Sequence, residues 1–415
     1  MRIKFLSAVA FWFLAAAIAR GSPRLNLTGK VVDSSGQPVS NATVMVYHAG
    51  VKIGYSTFCP SCYADCGKRS RTDATGSYTF TKLNSELRFE LLIVRDGYSP
   101  ALVKANDSSN GVVPTAILSL RTPISEPARV AKGRVTDGAG NAVPDAVVNA
   151  RGVEIEKGSM IGTIPGLDPL AVTNDNGEFE LVYAKPAKRM LVSVEARTLA
   201  PKFVVLATGP DRQTIELVRG ATIRGRLMRD GKPVGNAEVG LIGQTQGGFG
   251  PQLTIVGTPY SELRVGTQDD GSFALSDVPV QTNWYVYAKM ESVASRGATE
   301  AKACATTRAD EIVNVGDIQL GPGYRFEGTV LLSDGKPIPE GTRVIITSQR
   351  VWDTQTAILD KGGRFTFFSL PQGRYSISAA VRGYDFPDGG YEVETAVERD
   401  VNNFVITLNP KSPAH

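Results

Sequence analysis

The sequence G-K-V-V-D-S-S-G-Q-P-V-S-N-A at residues 29–42 decides the fold, because related stretches return three more times. They begin at Gly133 (G-R-V-T-D-G-A-G-N-A-V-P-D-A), Gly225 (G-R-L-M-R-D-G-K-P-V-G-N-A) and Gly328 (G-T-V-L-L-S-D-G-K-P-I-P-E-G). Each stretch has the pattern of a short strand, a tight turn at a glycine and a second strand. A repeat interval of roughly 100 residues predicts four tandem copies of one small unit rather than one large domain.

A second signature follows the first in every copy. Its four versions are T-D-A-T-G-S-Y-T-F (72–80), N-D-N-G-E-F-E-L (174–181), D-D-G-S-F-A-L (269–275) and K-G-G-R-F-T-F (361–367). An aromatic residue stands two positions after the turn glycine in each version: Tyr78, Phe179, Phe273 and Phe365. Apolar and polar residues then alternate, which is the period of a half-buried strand leaving a hairpin. With about seven short strands per ~100 residues, we predict an all-β chain of four immunoglobulin-like sandwiches.

The predicted sandwiches occupy residues 24–122, 128–219, 221–321 and 324–409, and they are called units 1 to 4 below. The linkers between them are only a few residues long. Short joints of this kind favour a semi-rigid rod over freely tumbling units. In such a linear rod we expect units 1 and 3 not to touch.

Residues 1–19 have the pattern of a secretory signal peptide. Arg2 and Lys4 form the basic end, an apolar run follows, and Ala17-Ile18-Ala19 predicts cleavage after Ala19. The apolar run is shorter than the ~20 residues that a membrane-spanning helix needs. We therefore expect a mature protein in the periplasm or outside the cell, with no stable membrane span after cleavage.

The composition argues against several classes of function. The net charge is +4, with Lys and Arg interspersed among Asp and Glu, so no basic block indicates nucleic-acid binding. The two histidines, His48 and His415, are too few and too far apart for a zinc peptidase. The sequence contains no nucleophile-elbow, Walker A or H-E-x-x-H motif. We therefore predict a protein that is not an enzyme and has no cofactor.

The two signatures, followed by a Gly-Tyr pair at Gly97 and Gly383, resemble the carboxypeptidase regulatory-like domain. This family has a transthyretin-like, seven-stranded sandwich that is grouped with carbohydrate-binding-like folds. The resemblance is strong in units 1 and 2. It weakens in unit 3, which lacks the Gly-Tyr pair, and in unit 4, where Gly341 replaces an alanine. It implies a non-catalytic accessory module and a carbohydrate ligand.

The loop F-C-P-S-C-Y-A-D-C-G at residues 58–67 is the sharpest feature outside the repeat. It holds Cys59, Cys62 and Cys66, and the fourth cysteine of the chain is Cys304. An even number of cysteines in an oxidising compartment makes all four candidates for disulfide bonds. We expect one bridge inside the loop, because neighbouring thiols in a flexible loop meet easily.

Two other interpretations of this loop stay open. C-x2-C-x3-C supplies three soft ligands for zinc, with a fourth from a carbonyl, a water or a partner, although no further local Cys or His is present. Cys59-Pro60-Ser61-Cys62 also looks like the C-P-x-C motif of glutaredoxin-type proteins. In that family the first Cys lies at a helix N-terminus, whereas this motif lies between predicted β-strands. Because a fourth Cys or His is missing near the loop, we place no metal among the expected sites.

Four aromatic residues in the inter-strand insertions are candidates for ligand binding: Tyr63, Phe249, Tyr260 and Trp352. Loops on a rigid scaffold are where binding residues collect. For any single ring, however, covering the end of its own sandwich is the favoured interpretation, because large apolar side chains are usually buried. The sequence predicts a secreted, non-enzymatic binding or spacer protein. Its expected partner is carbohydrate or another envelope or extracellular protein, and the rival interpretation is a purely structural rod.

Overall fold

The computed structural model describes residues 23–105, 110–121, 126–246, 254–256 and 263–411. Almost all regular secondary structure in the described chain is β-strand, with 56% strand and 2% helix, which confirms the predicted all-β class. The predicted signal peptide at residues 1–19 lies outside the described residues.

Unit 1 is a two-sheet sandwich of seven strands. They are β1 (Arg24–Asp33), β2 (Thr43–Val51), β3 (Arg69–Arg71), β4 (Ser77–Asn84), β5 (Leu87–Val94), β6 (Ala101–Ala105) and β7 (Ala116–Leu118). One sheet has the order β4-β1-β7 and the other β3-β2-β5-β6. The first strand pairs antiparallel with β4 and parallel with β7. Buried side chains from both sheets, among them Leu27 and Leu91, form the core.

Unit 2 repeats this arrangement after a 3₁₀ turn at Pro127–Arg129. Its strands are β8 (Val130–Asp137), β9 (Val147–Ile155), β10 (Gly158–Ile161), β11 (Leu170–Val172), β12 (Glu178–Val182), β13 (Arg189–Glu195), β14 (Lys202–Ala207) and β15 (Arg212–Leu217). The sheet β12-β8-β15 again pairs its central strand antiparallel on one side and parallel on the other. The opposite sheet is β10-β9-β13-β14, with β11 also paired to β9.

Unit 3 carries a short helix in addition to its strands. Its elements are β16 (Ala221–Arg229), β17 (Lys232–Pro233), β18 (Glu238–Gln246), β19 (Thr254–Val256), β20 (Leu263–Gly266), β21 (Ser272–Val278), β22 (Thr282–Ala288), α1 (Met290–Val293), β23 (Lys302–Thr306) and β24 (Ile312–Gln319). The first sheet joins β17, β21 and β24 to β16. The second has the order β19-β18-β22-β23, with β20 also paired to β18.

Unit 4 has the same strand order, with the 3₁₀ turn Pro387–Gly389 inserted. Its strands are β25 (Tyr324–Leu332), β26 (Arg343–Ser348), β27 (Thr354–Ile358), β28 (Arg364–Leu370), β29 (Gly373–Ala379), β30 (Tyr384–Asp385), β31 (Val393–Val397) and β32 (Val401–Pro410). The sheets are β28-β25-β32-β30 and β27-β26-β29-β31. The strands of units 1 to 3 lie inside the predicted ranges, and β32 of unit 4 ends one residue beyond its range, at Pro410. The limits of the units stay a prediction.

The two sequence signatures meet across one pair of strands in every unit. The glycine that opens the first signature lies directly opposite the aromatic residue of the second, in the pairs Gly29–Tyr78, Gly133–Phe179, Gly225–Phe273 and Gly328–Phe365. A Cβ atom on any of these glycines would overlap the facing ring. The aromatic ring occupies the space that the side chain of any other residue would fill at the glycine position. The glycine of the first signature is therefore needed wherever the second signature has an aromatic residue.

The turn glycines of the two signatures have different requirements. Gly36 has φ +81° and open space around it, so only its left-handed backbone favours glycine. Gly76 has φ +76°, and a Cβ there would in addition overlap the carbonyl oxygen of Val31. In the same turn Asp73 accepts hydrogen bonds from the backbone N–H groups of Thr75 and Ser77, at 2.8 and 3.0 Å. The acidic residue therefore shapes the turn itself.

Units 1 and 2 are joined by an apolar cluster on the outer face of the β3-β2-β5-β6 sheet. Met45 and Leu92 of unit 1 pack with Val147 and Leu170 of unit 2, and all four side chains are buried. Separating the two units would expose these apolar side chains to water, so the cluster, in addition to the short linker, holds units 1 and 2 together.

Unit 1 also contacts unit 3, which corrects the expectation of a linear rod. The carbonyl oxygen of Ser56 accepts a hydrogen bond of 2.6 Å from the N–H group of Gly266 in β20. Tyr55 packs so closely there that a Cβ on Gly266 would lie 2.7 Å from the Tyr55 carbonyl oxygen. Both unit 1 residues belong to the long insertion at residues 52–68, between β2 and β3. This insertion reaches unit 3 directly, so the short linkers between consecutive units do not keep units 1 and 3 apart.

Units 3 and 4 share a second junction. Ile242 and Tyr287 of unit 3 are buried together with Val351 of unit 4. The helix α1 lies between the two cores, because its Met290 belongs to the buried cluster of unit 4 and its Val293 to that of unit 3. The junction is therefore continuous with both hydrophobic cores.

Candidate functional site

The cysteine loop of unit 1 contains a disulfide bond between Cys59 and Cys62. Their Cα atoms are 5.1 Å apart, and the N–H group of Cys62 donates a 3.0 Å hydrogen bond to the carbonyl oxygen of Cys59. This turn places both side chains on the same side of the loop. The bridge agrees with the expectation of one disulfide inside this loop.

The other two candidates for disulfide bonds, Cys66 and Cys304, carry free thiols. Cys66 is buried in the core of unit 1 and donates to the carbonyl oxygen of Pro60 at 3.3 Å. Cys304 lies in β23 opposite Trp284, against the core of unit 3. Burial raises the pKa of each thiol to about 11. The two thiols belong to different cores and therefore cannot pair with each other.

Asp277 of unit 3 lies beside the disulfide of unit 1. Its Oδ2 atom is 3.7 Å from Sγ of Cys59, although the two residues are 218 positions apart in sequence. Its φ of +55° is in the left-handed region that few residues other than Gly, Asn and Asp adopt. Burial raises the pKa of Asp277. Sequence reasoning missed this residue, because a lone aspartate at the end of a strand carries no local signal.

A cavity of about 420 Å³ opens next to the loop where units 1, 2 and 3 meet. Its apolar wall includes Met45, Tyr47, Leu199, Phe203 and Leu263. Its polar wall includes His48, Arg69, Asp145, Glu195 and Arg197. A concave surface with apolar walls and a few polar groups is the usual form of a small-molecule site.

The polar groups around this cavity are bonded to one another. Nδ1 of His48 donates to Oε2 of Glu90 at 3.1 Å, and that hydrogen bond holds the pKa of Glu90 below its ordinary value. Burial, together with the carboxylates of Glu195 and Glu90, raises the pKa of Tyr47 well above its ordinary value. Arg69 forms an ion pair with Asp145 across the junction of units 1 and 2. The cavity therefore has a fixed pattern of charges.

Trp352 is displayed by the loop between β26 and β27. Its side chain is 58% exposed, while the flanking Val351 and Asp353 are 7% and 1% exposed. Its φ is +55°, and its N–H group donates to the carbonyl oxygen of Ser348 at 2.8 Å. Asp353 forms a buried ion pair with Lys289 of unit 3, at 2.6 Å. Two anchors in the junction thus hold a strained backbone that turns the indole ring outward.

The other three aromatic candidates differ in their placement. Tyr63 is half-buried against the core of unit 1 and makes an edge-to-face contact with Phe58, with ring centroids 5.5 Å apart. Its hydroxyl group is buried without a hydrogen-bond partner. This placement fits a ring that covers its own sandwich end. Phe249 and Tyr260 lie outside the described residues.

Of the two candidate aromatic residues that the structure describes, Tyr63 belongs to the cysteine loop of unit 1 and Trp352 lies in unit 4. Among the described residues, no helix is both long enough and apolar enough to cross a membrane.

Comparison with protein families identifies one part of the chain. Residues 26–120, which lie within unit 1, match the family model of the carboxypeptidase regulatory-like domain. This match confirms the resemblance that the motifs of unit 1 predicted. No curated protein matches the sequence.

Several solved structures are similar to this chain. The Bacillus anthracis TIE protein is 13% identical at a TM-score of 0.20, with 93% of this chain and 73% of that chain covered. A streptococcal ancillary pilin is 10% identical at a TM-score of 0.24, with coverages of 68% and 100%. The minor pilin GBS52 of Streptococcus agalactiae is 13% identical at a TM-score of 0.24, with coverages of 47% and 100%. Scores this low carry no argument about function.

Proposed function

We propose that this chain is an extracytoplasmic, non-enzymatic structural and binding protein, and that it binds carbohydrate through Trp352. The observation that carries the proposal is an exposed indole ring held in a left-handed backbone conformation between two buried anchors. An observed backbone outlier is a legitimate starting point for a functional hypothesis. A ring on a loop that a rigid scaffold positions has the place expected of a binding residue.

The anchors explain why the ring is available without rearrangement. Val351 packs on Ile242 and Tyr287, and Asp353 binds Lys289, so the loop is fixed on both sides of Trp352. A preformed flat apolar face suits the C–H face of a sugar ring and loses little conformational entropy on binding. Gln349 and Arg350 precede it in the same loop, where Nε2 of Gln349 donates to Ser376 at 3.4 Å and the Arg350 guanidinium lies 5.3 Å over the Tyr285 ring. Both groups keep further donors with which sugar hydroxyls can bond.

The absence of enzymatic activity is supported by the state of the titratable groups at the cavity. His48 is hydrogen-bonded to Glu90, and Arg69 is paired with Asp145. Among the described residues no Ser or Cys is hydrogen-bonded to His48, so the nucleophile–base pair of a hydrolase is not formed here. The cavity is therefore a binding surface in this proposal.

A glycan array followed by calorimetric titration tests the carbohydrate proposal. We expect the wild-type chain to bind a defined set of glycans and Trp352→Ala to weaken that binding at least about tenfold, which is ~1.4 kcal/mol. Trp352→Phe is expected to retain part of the affinity, and Phe368→Ala, which removes another exposed ring of unit 4, to retain all of it. Wild-type binding that survives Trp352→Ala unchanged would refute the assignment to this residue.

A second function, a spacer that displays or holds another surface protein, is favoured by the junctions. The buried cluster of Met45, Leu92, Val147 and Leu170 and the contact of Ser56 with Gly266 hold unit 1 against two other units. Fixed junctions of this kind suit a spacer that holds a partner at a set distance. A blank glycan array together with capture of one extracellular protein partner, lost when the junction residues are mutated, would favour this function over carbohydrate binding.

A further inference from the structure

The loop disulfide and Asp277 form a group of three metal-ligand side chains from two units. The ligand atoms of Cys59, Cys62 and Asp277 all lie within 4.8 Å of one another. Two of the three residues, Cys59 and Asp277, line the cavity between units 1, 2 and 3. In the structure described here the two sulfur atoms are joined to each other.

The spacing of these atoms is close to what a tetrahedral zinc ion requires. With Zn–S near 2.3 Å and Zn–O near 2.1 Å, a sulfur and an oxygen ligand lie about 3.6 Å apart, and two sulfur ligands about 3.8 Å apart. Sγ of Cys59 and Oδ2 of Asp277 are already 3.7 Å apart. Only the two sulfur atoms must separate, and breaking their bond allows this.

The backbone of the loop is already shaped for two ligands. The hydrogen bond from the N–H group of Cys62 to the carbonyl oxygen of Cys59 closes the C-x2-C turn through backbone atoms alone. C-x2-C is the spacing with which structural zinc sites present two thiolates on one side of a turn. Rotation of the two side chains therefore suffices to open the site.

Asp277 has no closer partner than this disulfide among the hydrogen bonds and ion pairs of the described chain. A sulfur atom in a disulfide has no proton to donate, so the contact of 3.7 Å does not satisfy the carboxylate. The side chain is half-buried at the junction. A half-buried carboxylate that faces two cysteine sulfurs without a cation is suited to a positive ligand.

We propose that reduction of the Cys59–Cys62 disulfide creates a zinc site, with both thiolates and the Asp277 carboxylate as protein ligands and a water molecule in the fourth position. The reductant is a dithiol, which transfers two electrons and two protons to the bridge and becomes a disulfide itself. Zn²⁺ then displaces the two thiol protons. The inference concerns a different site from Trp352 and does not depend on carbohydrate binding.

Such a site makes the contact between units 1 and 3 depend on redox state. In the oxidised protein Sγ of Cys59 and Oδ2 of Asp277 approach to 3.7 Å, with no bond between them. In the reduced, metal-loaded protein one ion would bond to both units. The other two thiols do not compete, because Cys66 and Cys304 are buried or half-buried and have pKa values of about 11.

Titration with Co²⁺, as a spectroscopic substitute for Zn²⁺, tests the proposal. The full chain is first reduced with a dithiol, and the dithiol is then removed under argon. We expect the reduced protein to bind one Co²⁺ with thiolate charge-transfer absorption, which one equivalent of Zn²⁺ abolishes. The oxidised protein should show no such absorption. Absence of the band in the reduced protein, or an equal band in the oxidised protein, would overturn the proposal.

Variants separate the three ligands from adventitious binding. Cys59→Ser and Cys62→Ser are each expected to abolish the charge-transfer band, and Asp277→Asn to weaken Co²⁺ binding at least about tenfold. Cys66→Ser and Asp310→Asn, which alters an exposed carboxylate elsewhere in unit 3, serve as matched controls and should bind like the wild type. Circular dichroism confirms that each variant is folded. Binding by Asp277→Asn equal to wild type would remove unit 3 from the site and refute the inter-unit ligand set.

Discussion

Replacing Lys289 with methionine is predicted to destabilise the junction of units 3 and 4. Nζ of Lys289 lies 2.6 Å from Oδ1 of Asp353, and the two side chains are only 10% and 1% exposed. Removing one partner of a buried ion pair leaves an uncompensated charge and usually costs about 3–5 kcal/mol. Asp353 keeps hydrogen bonds from the N–H groups of Met290 and Thr354. We therefore expect Lys289→Met to lower the free energy of unfolding by about 3 kcal/mol, the lower end of that range.

Urea unfolding followed by tryptophan fluorescence measures this loss, because Trp284 lies in the core of unit 3 and Trp352 at its junction with unit 4. With a denaturant slope of about 2 kcal/mol per molar urea, the midpoint should fall by roughly 1.5 M. Lys336→Met, which breaks an exposed ion pair in unit 4, should leave the midpoint unchanged. A midpoint for Lys289→Met that equals the wild type would refute the reasoning.

The same pair predicts a dependence on pH. Burial raises the pKa of Asp353, although Lys289 opposes that rise. A carboxyl group whose pKa is raised in the folded state becomes neutral in the folded protein as pH falls, and it then needs no cation. The difference in unfolding free energy between Lys289→Met and wild type should therefore shrink as pH falls through the pKa of Asp353. A difference that grows at low pH would contradict this assignment.

Two further predictions concern the repeat and the cavity. Gly335→Ala is expected to lower the unfolding free energy of unit 4 by about 1 kcal/mol, because its backbone is left-handed. Gly363→Ala should cost at least twice as much, because a Cβ on Gly363 would also overlap the carbonyl oxygen of Val330. Equal urea midpoints for the two variants would contradict this. His48→Ala removes the hydrogen bond that lowers the pKa of Glu90, so burial should raise that pKa. In the wild type, the stability that comes from the lowered pKa of Glu90 is lost as pH falls. In His48→Ala, the amides of β2 and β5 should therefore lose their protection from hydrogen exchange at a higher pH than in the wild type. Loss of protection at the same pH in both proteins would contradict this prediction.

Part of the candidate site was predictable from the sequence. The three neighbouring cysteines at residues 59–66 predicted one disulfide inside the loop without fixing its pair, and Trp352 was predicted to lie in an insertion between strands. The free thiols of Cys66 and Cys304 were not predictable, because an even cysteine count says nothing about which core buries which thiol. Asp277 was not predictable either, because its partner lies in another unit.

The sequence by itself determined the architecture of each unit. The glycine and the aromatic residue that face each other across two strands, such as Gly29 and Tyr78, recur in four copies because their steric requirement is local to one strand pair. Only the tertiary structure decided how the units meet. The contact of Ser56 with Gly266 and the approach of Cys59 to Asp277 join residues more than 200 positions apart. Such contacts depend on the shapes of whole sandwiches and of one long insertion, and no short-range pattern of residue types encodes them.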